Sequence, residues 1–177
     1  MLASRPARRP TSRAILRLAA GAGLRVGEIV GLDMADVHLD DRRPWLRIRH
    51  GKGDKARDVP LWWDRGTFDD LRAYEAWRLS CGAAPNDPFV VGEHGGRLTT
   101  RAAAMRWKQM AAVLGARGEG TSPHWGRHTF GSYALASGRS LAEVRDAMGH
   151  ASIGTTSIYL HAVPDDGEFT SLYASPR

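Results

Sequence analysis

Cysteine is nearly absent from the chain: Cys81 is the only one in 177 residues. A lone thiol closes no internal disulfide and supplies no multi-cysteine zinc site. Long apolar runs are missing too, none approaching the ~20 residues needed to cross a bilayer. The basic opening MLASRPARRP leads into no long apolar segment, which argues against a secretory signal. A cytoplasmic protein is therefore expected. Internal repeats are lacking, as is low-complexity sequence beyond the Pro/Arg-rich start. Lysine is scarce, with Lys52, Lys55 and Lys108 the only ones. Nor is there a carboxylate cluster of two-metal character, which disfavours a metal-dependent nuclease or hydrolase.

What is present describes one folded domain. Hydrophobic residues make up 42% of the chain, enough for a proper core. The formal net charge of +6 makes a polyanion the first partner to consider. Almost all of that charge is carried by arginine, whose planar fork suits phosphate better than a lysine point charge. A GC-rich genome explains the same bias equally well.

Hydrophobic spacing and end signals divide the chain. RAILRLAA (13–20) reads as an amphipathic helix stopped at Gly21 and Gly23. RVGEIVGL (25–32) has apolar residues near helical spacing, so a second short helix follows. WLRIRH (45–50) alternates as a half-buried strand should, GKGD (51–54) is a turn, and KARDVPL (55–61) pairs back as a hairpin. Residues 64–80 form a helix with Phe68, Leu71, Tyr74 and Leu79 as its inner face. PFVV (88–91) reads as a short buried strand. Thr99 or Thr100 caps a helix running to Leu114, with Gly115 beyond it. Ser122-Pro123 is an N-cap followed by proline at the first helical position, opening a helix to about Ser137 that stops at Gly138. Ser140 and Glu143 have capping-box spacing for a helix ending at Gly149. Ser152 caps a last helix carrying Ile158, Tyr159 and Leu160. Helices with one small sheet indicate a mixed, mainly helical domain.

Three places carry polar residues at spacings that suit chemistry. Arg25 and Glu28 are three apart on a helix, so the carboxylate can hold the guanidinium; an ordinary surface ion pair gives the same pattern. His124 and Arg127 stand at the exposed start of a capped helix, whose free N–H groups and positive dipole end attract phosphate. His128 follows His124 at i+4, a spacing that zinc pairs use, but the intervening Glu of a His-Glu-x-x-His site is missing. His150 follows Gly149 at a helix end, and Tyr159 lies nine residues on. A tyrosine on a helix is ordinarily core or surface; beside two arginines and two histidines it becomes a candidate nucleophile. Phosphoryl transfer needs positive groups on the non-bridging oxygens and an acid for the leaving oxygen. Lys52, at the hairpin tip, is the lysine candidate for that acid, although GKGDK also suits a solvated turn and does not match a Walker loop.

In order along the chain, GLRVGEIVGL, GKGDKARDVPL, SPHWGRHTF and MGHASIGTTSIYLH closely resemble the signature boxes of tyrosine recombinases, in particular the Xer-like and phage-type integrases. The resemblance covers residues 13–162. It implies an α+β, mainly α fold: a helical bundle with a small antiparallel three-stranded sheet. It divides the chain into a basic extension (1–12), the catalytic domain (13–162) and a tail (163–177), where Phe169, Leu172 and Tyr173 are candidates for a segment passed to a neighbouring subunit.

Box by box, the resemblance implies Arg25 and Arg127 as the groups balancing transition-state charge and Lys52 as the acid for the 5′ oxygen. It gives His124 acid–base work, makes His150 a phosphate hydrogen-bonder or brace, and makes Tyr159 the nucleophile, with Glu28 supporting. The expected product is a 3′-phosphotyrosyl link with a free 5′-hydroxyl. The expected partner is double-stranded DNA, bound by a homo-oligomer that is a tetramer on DNA, with no membrane, no metal and no small-molecule cofactor or ATP. A non-catalytic DNA-binding remnant of the same fold and a type IB topoisomerase-like activity are the alternatives.

Two positions depart from the family pattern. Gly27 replaces the usual serine or threonine. Gly126 replaces the common leucine, at roughly 0.5–1 kcal/mol relative to alanine in a helix. Both are expected to be packing positions. Typical members also carry an N-terminal helical core-binding domain that clamps the other side of the DNA. Only residues 1–12 precede the first helix here, so complete recombination by this chain alone is not expected.

Overall fold

The computed structural model describes residues 8–51, 56–112 and 120–157. The basic extension up to Ala7, Lys52 and its turn, Leu114 and Gly115, Tyr159 and the tail lie outside the described residues.

The first helix, α1 (Arg8–Leu16), runs directly into a π-helical turn over Arg17–Gly21. It begins earlier than the amphipathic pattern suggests, and the wide turn carries Leu18 and Ala19 into the core. Helix α2 (Val26–Gly31) follows. Next come three antiparallel strands, β1 (Val37–His38), β2 (Trp45–Ile48) and β3 (Arg57–Pro60), ordered β1-β2-β3. The antiparallel pairing expected of the hairpin is found between Trp45–Ile48 and Arg57–Pro60, with Leu46 opposite Val59 and Ile48 opposite Arg57. Leu46, Ile48 and Val59 make the buried face. The third strand of the sheet is β1, not PFVV. Pro88 and Val91 form only isolated bridges, to Asp33 and Arg97, while Phe89, Val90 and Val91 are buried as core residues.

Asp64 caps α3 (Arg65–Ser80), its carboxylate accepting from the Gly66 and Thr67 amides. The buried stripe is Thr67, Leu71, Tyr74 and Arg78. Leu79, expected inside, is exposed because it lies five residues from Tyr74 and falls off the i, i+3, i+4 face. Thr99 caps α4 (Thr100–Ala111) through the Ala102 amide. Then come α5 (Pro123–Ala136), α6 (Leu141–Met148) and α7 (Ile153–Ser157).

The main core lies between α1, the π turn, α2, the inner sheet face, α3 and α4. A second cluster of Phe130, Ala134, Val144, Ala147 and Met148 joins α5 to α6, and Trp63 stacks on Phe130 at 6.0 Å between centroids. Among the described residues no helix is long and apolar enough to cross a membrane.

Candidate active site

The site is assembled at the C-terminal end of α6, and local sequence explains how that end is built. A capping box starts the helix: the Ser140 amide donates to Glu143 Oε2 at 2.8 Å, and the Glu143 amide to Ser140 Oγ at 3.3 Å. At the other end Gly149 has φ +63°, the left-handed conformation that turns the chain sharply and that glycine adopts without penalty. His150 is the next residue, with its amide bonded to the Arg145 carbonyl at 3.0 Å.

A helix end leaves its last carbonyls without intrahelical partners, and cations are favoured there. Three guanidinium groups supply the donors. Arg57 Nε donates to the Ala147 carbonyl at 2.9 Å. Arg127 Nη2 donates to the Met148 carbonyl and its Nη1 to the Gly23 carbonyl. Arg25 Nη1 reaches Met148 O at 3.5 Å and its Nη2 reaches Gly149 O at 3.3 Å.

Beneath them sits Glu28, only 8% exposed. Arg57 grips it with a two-pronged fork, Nη1 to Oε1 and Nη2 to Oε2, both at 2.9 Å. Arg25 adds its Nη1 at 2.9 Å and its backbone amide at 2.8 Å. Burial pushes the Glu28 carboxyl toward the neutral form. The fork and charge of Arg57, with the donors of Arg25, outweigh burial and hold its pKa below the ordinary value. Three arginines and one glutamate thus gather on one turn, a group with surplus positive charge that suits an anion.

Two histidine environments border this group. The His150 pKa is pushed down to about 4, first by burial and then by Arg127, Arg25, Arg57 and His128. Its ring is therefore neutral at neutral pH, and Nδ1 lies 2.9 Å from the Thr156 hydroxyl on α7. His128 is lowered from its ordinary value by burial and by the neighbouring His124 and Arg127. The His124 and His128 rings meet edge-to-face at 4.7 Å. Their helix is capped as the sequence indicates, Ser122 Oγ accepting from the Trp125 amide at 3.4 Å with Pro123 at the first position.

Of the residues singled out in the sequence, Arg25, Glu28, Arg127 and His150 converge, and His124 adjoins them through His128. Arg127 differs from expectation in one respect. It does not stand at an exposed helix start but is 2% exposed, its guanidinium turned inward onto two carbonyls. Lys52 and Tyr159 lie outside the described residues. Sequence reasoning missed Arg57 and Thr156. Strand alternation carried a signal for Arg57, because it shares the inward face of β3 with fully buried Val59. Thr156 had no such signal.

Residues 3–165 match the model of the phage integrase family. The chain belongs to that family, the tyrosine recombinases. Within it the relatives are Xer-like. The chain is 41% identical over 149 residues to the tyrosine recombinase XerC of Azotobacter vinelandii, covering 84% of this chain and 47% of the relative. It is 40% identical over 169 residues to XerC of Pseudomonas aeruginosa, covering 93% of this chain and 52% of that protein. The chain therefore spans about half the length of these recombinases. Among solved structures, the XerA recombinase superposes with a TM-score of 0.75 at 29% identity, over 96% of this chain and 58% of that one. The XerH site-specific recombinase in a post-cleavage complex with palindromic difH substrate gives 0.73 at 26% identity, over 97% and 47%. These matches bear out the mainly helical α+β class with its three-stranded sheet.

Proposed function

We propose that this chain is the catalytic domain of a site-specific DNA recombinase that breaks and rejoins DNA through a 3′-phosphotyrosyl link at Tyr159, without metal or ATP. The observation that carries the reading is the convergence of Arg25, Arg57, Arg127 and neutral His150 on the α6 turn, with Glu28 buried among the arginines. A site for phosphoryl transfer needs donors fixed in advance around the non-bridging oxygens, and guanidinium groups braced by carbonyls and a carboxylate meet that need.

In the proposed step, the Tyr159 phenol oxygen attacks a DNA phosphorus and loses its proton. The P–O5′ bond breaks, and the departing 5′ oxygen takes a proton from Lys52. Arg25 and Arg127 balance the charge of the transition state, and His124 takes part in proton movement. Attack by a second 5′-hydroxyl on the phosphotyrosine reverses the chemistry, so the number of phosphoester bonds is conserved and no external energy source is needed. The XerH structure bound to its difH substrate supports double-stranded DNA as the partner. We further assign residues 13–162 as the catalytic unit, 1–12 as a basic extension and 163–177 as a tail for subunit exchange in a tetramer on DNA, acting in the cytoplasm.

The test uses nicked half-site DNA recovered by binding selection from a random pool, incubated with the protein in EDTA and resolved on a denaturing gel. A covalent protein–DNA band is expected, and it should vanish in Tyr159→Phe. Strand cleavage that persists in that variant, or that requires magnesium, would replace this reading with a nuclease. Binding without any adduct would leave a DNA-binding remnant.

A further inference from the structure

Thr156 is fully buried in α7, and its hydroxyl lies 2.9 Å from His150 Nδ1. Among the described residues the hydroxyl has no other hydrogen-bond partner. A buried O–H left without an acceptor is strongly disfavoured, so the hydroxyl proton points at its one acceptor among the described residues. That acceptor is an imidazole nitrogen, which accepts only when it carries no hydrogen. In a neutral ring the remaining proton then resides on the other nitrogen, Nε2. The ring is neutral because it is partly buried and faces Arg127, Arg25, Arg57 and His128.

We propose that Thr156 is a positioning residue: by donating to Nδ1 it holds His150 as the Nε2–H tautomer, so the ring offers the phosphate a hydrogen-bond donor and cannot act as a base at Nε2. The backbone of His150 is fixed by the left-handed turn at Gly149 and the bond from its amide to Arg145. The Thr156 contact acts beyond that turn, on the rotation and protonation of the ring. It follows that the phenol proton of Tyr159 leaves by a route other than His150 Nε2. This inference deepens the strand-exchange reading and rests on it.

The experiment pairs adduct kinetics with the 15N spectrum of histidine-labelled protein at pH 7, with His150 assigned by its loss in His150→Gln. Thr156→Val keeps the shape and removes the hydroxyl; Thr156→Ser keeps the hydroxyl. The wild type should show Nε2 protonated and Nδ1 as a hydrogen-bonded acceptor. Thr156→Val should form adduct about tenfold more slowly, roughly the effect of one hydrogen bond, with the His150 nitrogens averaged between tautomers. Thr156→Ser should stay within about twofold of wild type on the same reasoning. A wild-type ring protonated at Nδ1, or a folded Thr156→Val with wild-type rate and tautomer, would overturn the proposal. If wild type forms no adduct, the strand-exchange reading fails, and the spectrum still decides whether Thr156 sets the tautomer.

Discussion

Glu28 accepts two hydrogen bonds from Arg57 and two from Arg25 while almost wholly buried. A charge in that position is tolerated only because its partners are present, so removing one exposes the cost of burying the other. Arg57→Ala takes away both prongs of the fork and the donor to the Ala147 carbonyl, while Arg25 remains to hold the carboxylate. The expected loss of unfolding free energy is about 2–3 kcal/mol, read from urea denaturation. Arg57→Lys should recover little of it, because an ammonium cannot reproduce a two-pronged fork. Stability within about 0.5 kcal/mol of wild type in both variants, the range of an ordinary surface change, would contradict this role.

His150 makes a second prediction at the same scale. Its pKa falls from 6.5 to about 4 on folding, so the neutral form is the one the folded state favours. Above pH 6.5 the ring is neutral in both states and its contribution to stability is complete. As pH falls from about 6.5 toward 4, the unfolded chain takes up a proton that the folded chain refuses, and stability declines. His128 is shifted in the same direction, and Glu28 adds a loss further down as its carboxyl protonates. The contribution of His150 is isolated by comparison: in His150→Gln the decline between pH 6.5 and 4 should be shallower. Identical slopes in the two proteins would show that the ring titrates alike folded and unfolded.

At the scale of elements, α5 approaches α4 and the π turn so closely that only glycine fits at position 126. A Cβ there would stand 2.3 Å from Cη2 of the Trp107 ring and 3.3 Å from the Ala19 side chain. Helix propensity alone would have alanine or leucine stabilise α5 by roughly 0.5–1 kcal/mol over glycine. Overpacking of about 1–3 kcal/mol should reverse that sign. Gly126→Leu is therefore expected to lower the melting temperature and to disturb the bond from Trp107 Nε1 to Thr121, seen in tryptophan fluorescence. A rise in melting temperature would mean that Trp107 yields freely.

Element ends were the most legible part of the sequence because their chemistry is local. Thr99, one of the two threonines offered, Ser122 and Ser140 cap where the sequence indicates, and Gly149 terminates where a left-handed residue is needed. What could not be read is set by distant partners. Strand β1 has two residues, too few to alternate, and exists because Val37 lies opposite Leu46. PFVV has strand composition but finds no ladder. Arg57 looks like one more hairpin cation until β3 turns it toward Glu28, and Thr156 looks like one more helix threonine until α7 brings it to His150. The Arg25–Glu28 pair, by contrast, was visible from its spacing, and Arg127 and His150 from their place in recognisable boxes.

At the scale of the whole molecule, α2, β3 and α5 contribute Glu28, Arg57 and Arg127, the end of α6 contributes carbonyls, and the turn after it contributes His150, so that no element holds the group alone. The chain carries a net charge of +6, belongs to the phage integrase family over residues 3–165, and spans about half the length of its recombinase relatives. A polyanionic substrate, a prearranged cationic turn and an attacking phenol form one mechanism only if the phenol becomes bonded to DNA. Mass spectrometry of the trapped adduct, digested with nuclease and protease, tests this most directly. The expected result is a nucleotide joined through its 3′-phosphate to the peptide that contains Tyr159. A modification on any other side chain, or intact unmodified Tyr159 peptide from protein that has cleaved its DNA, would contradict it.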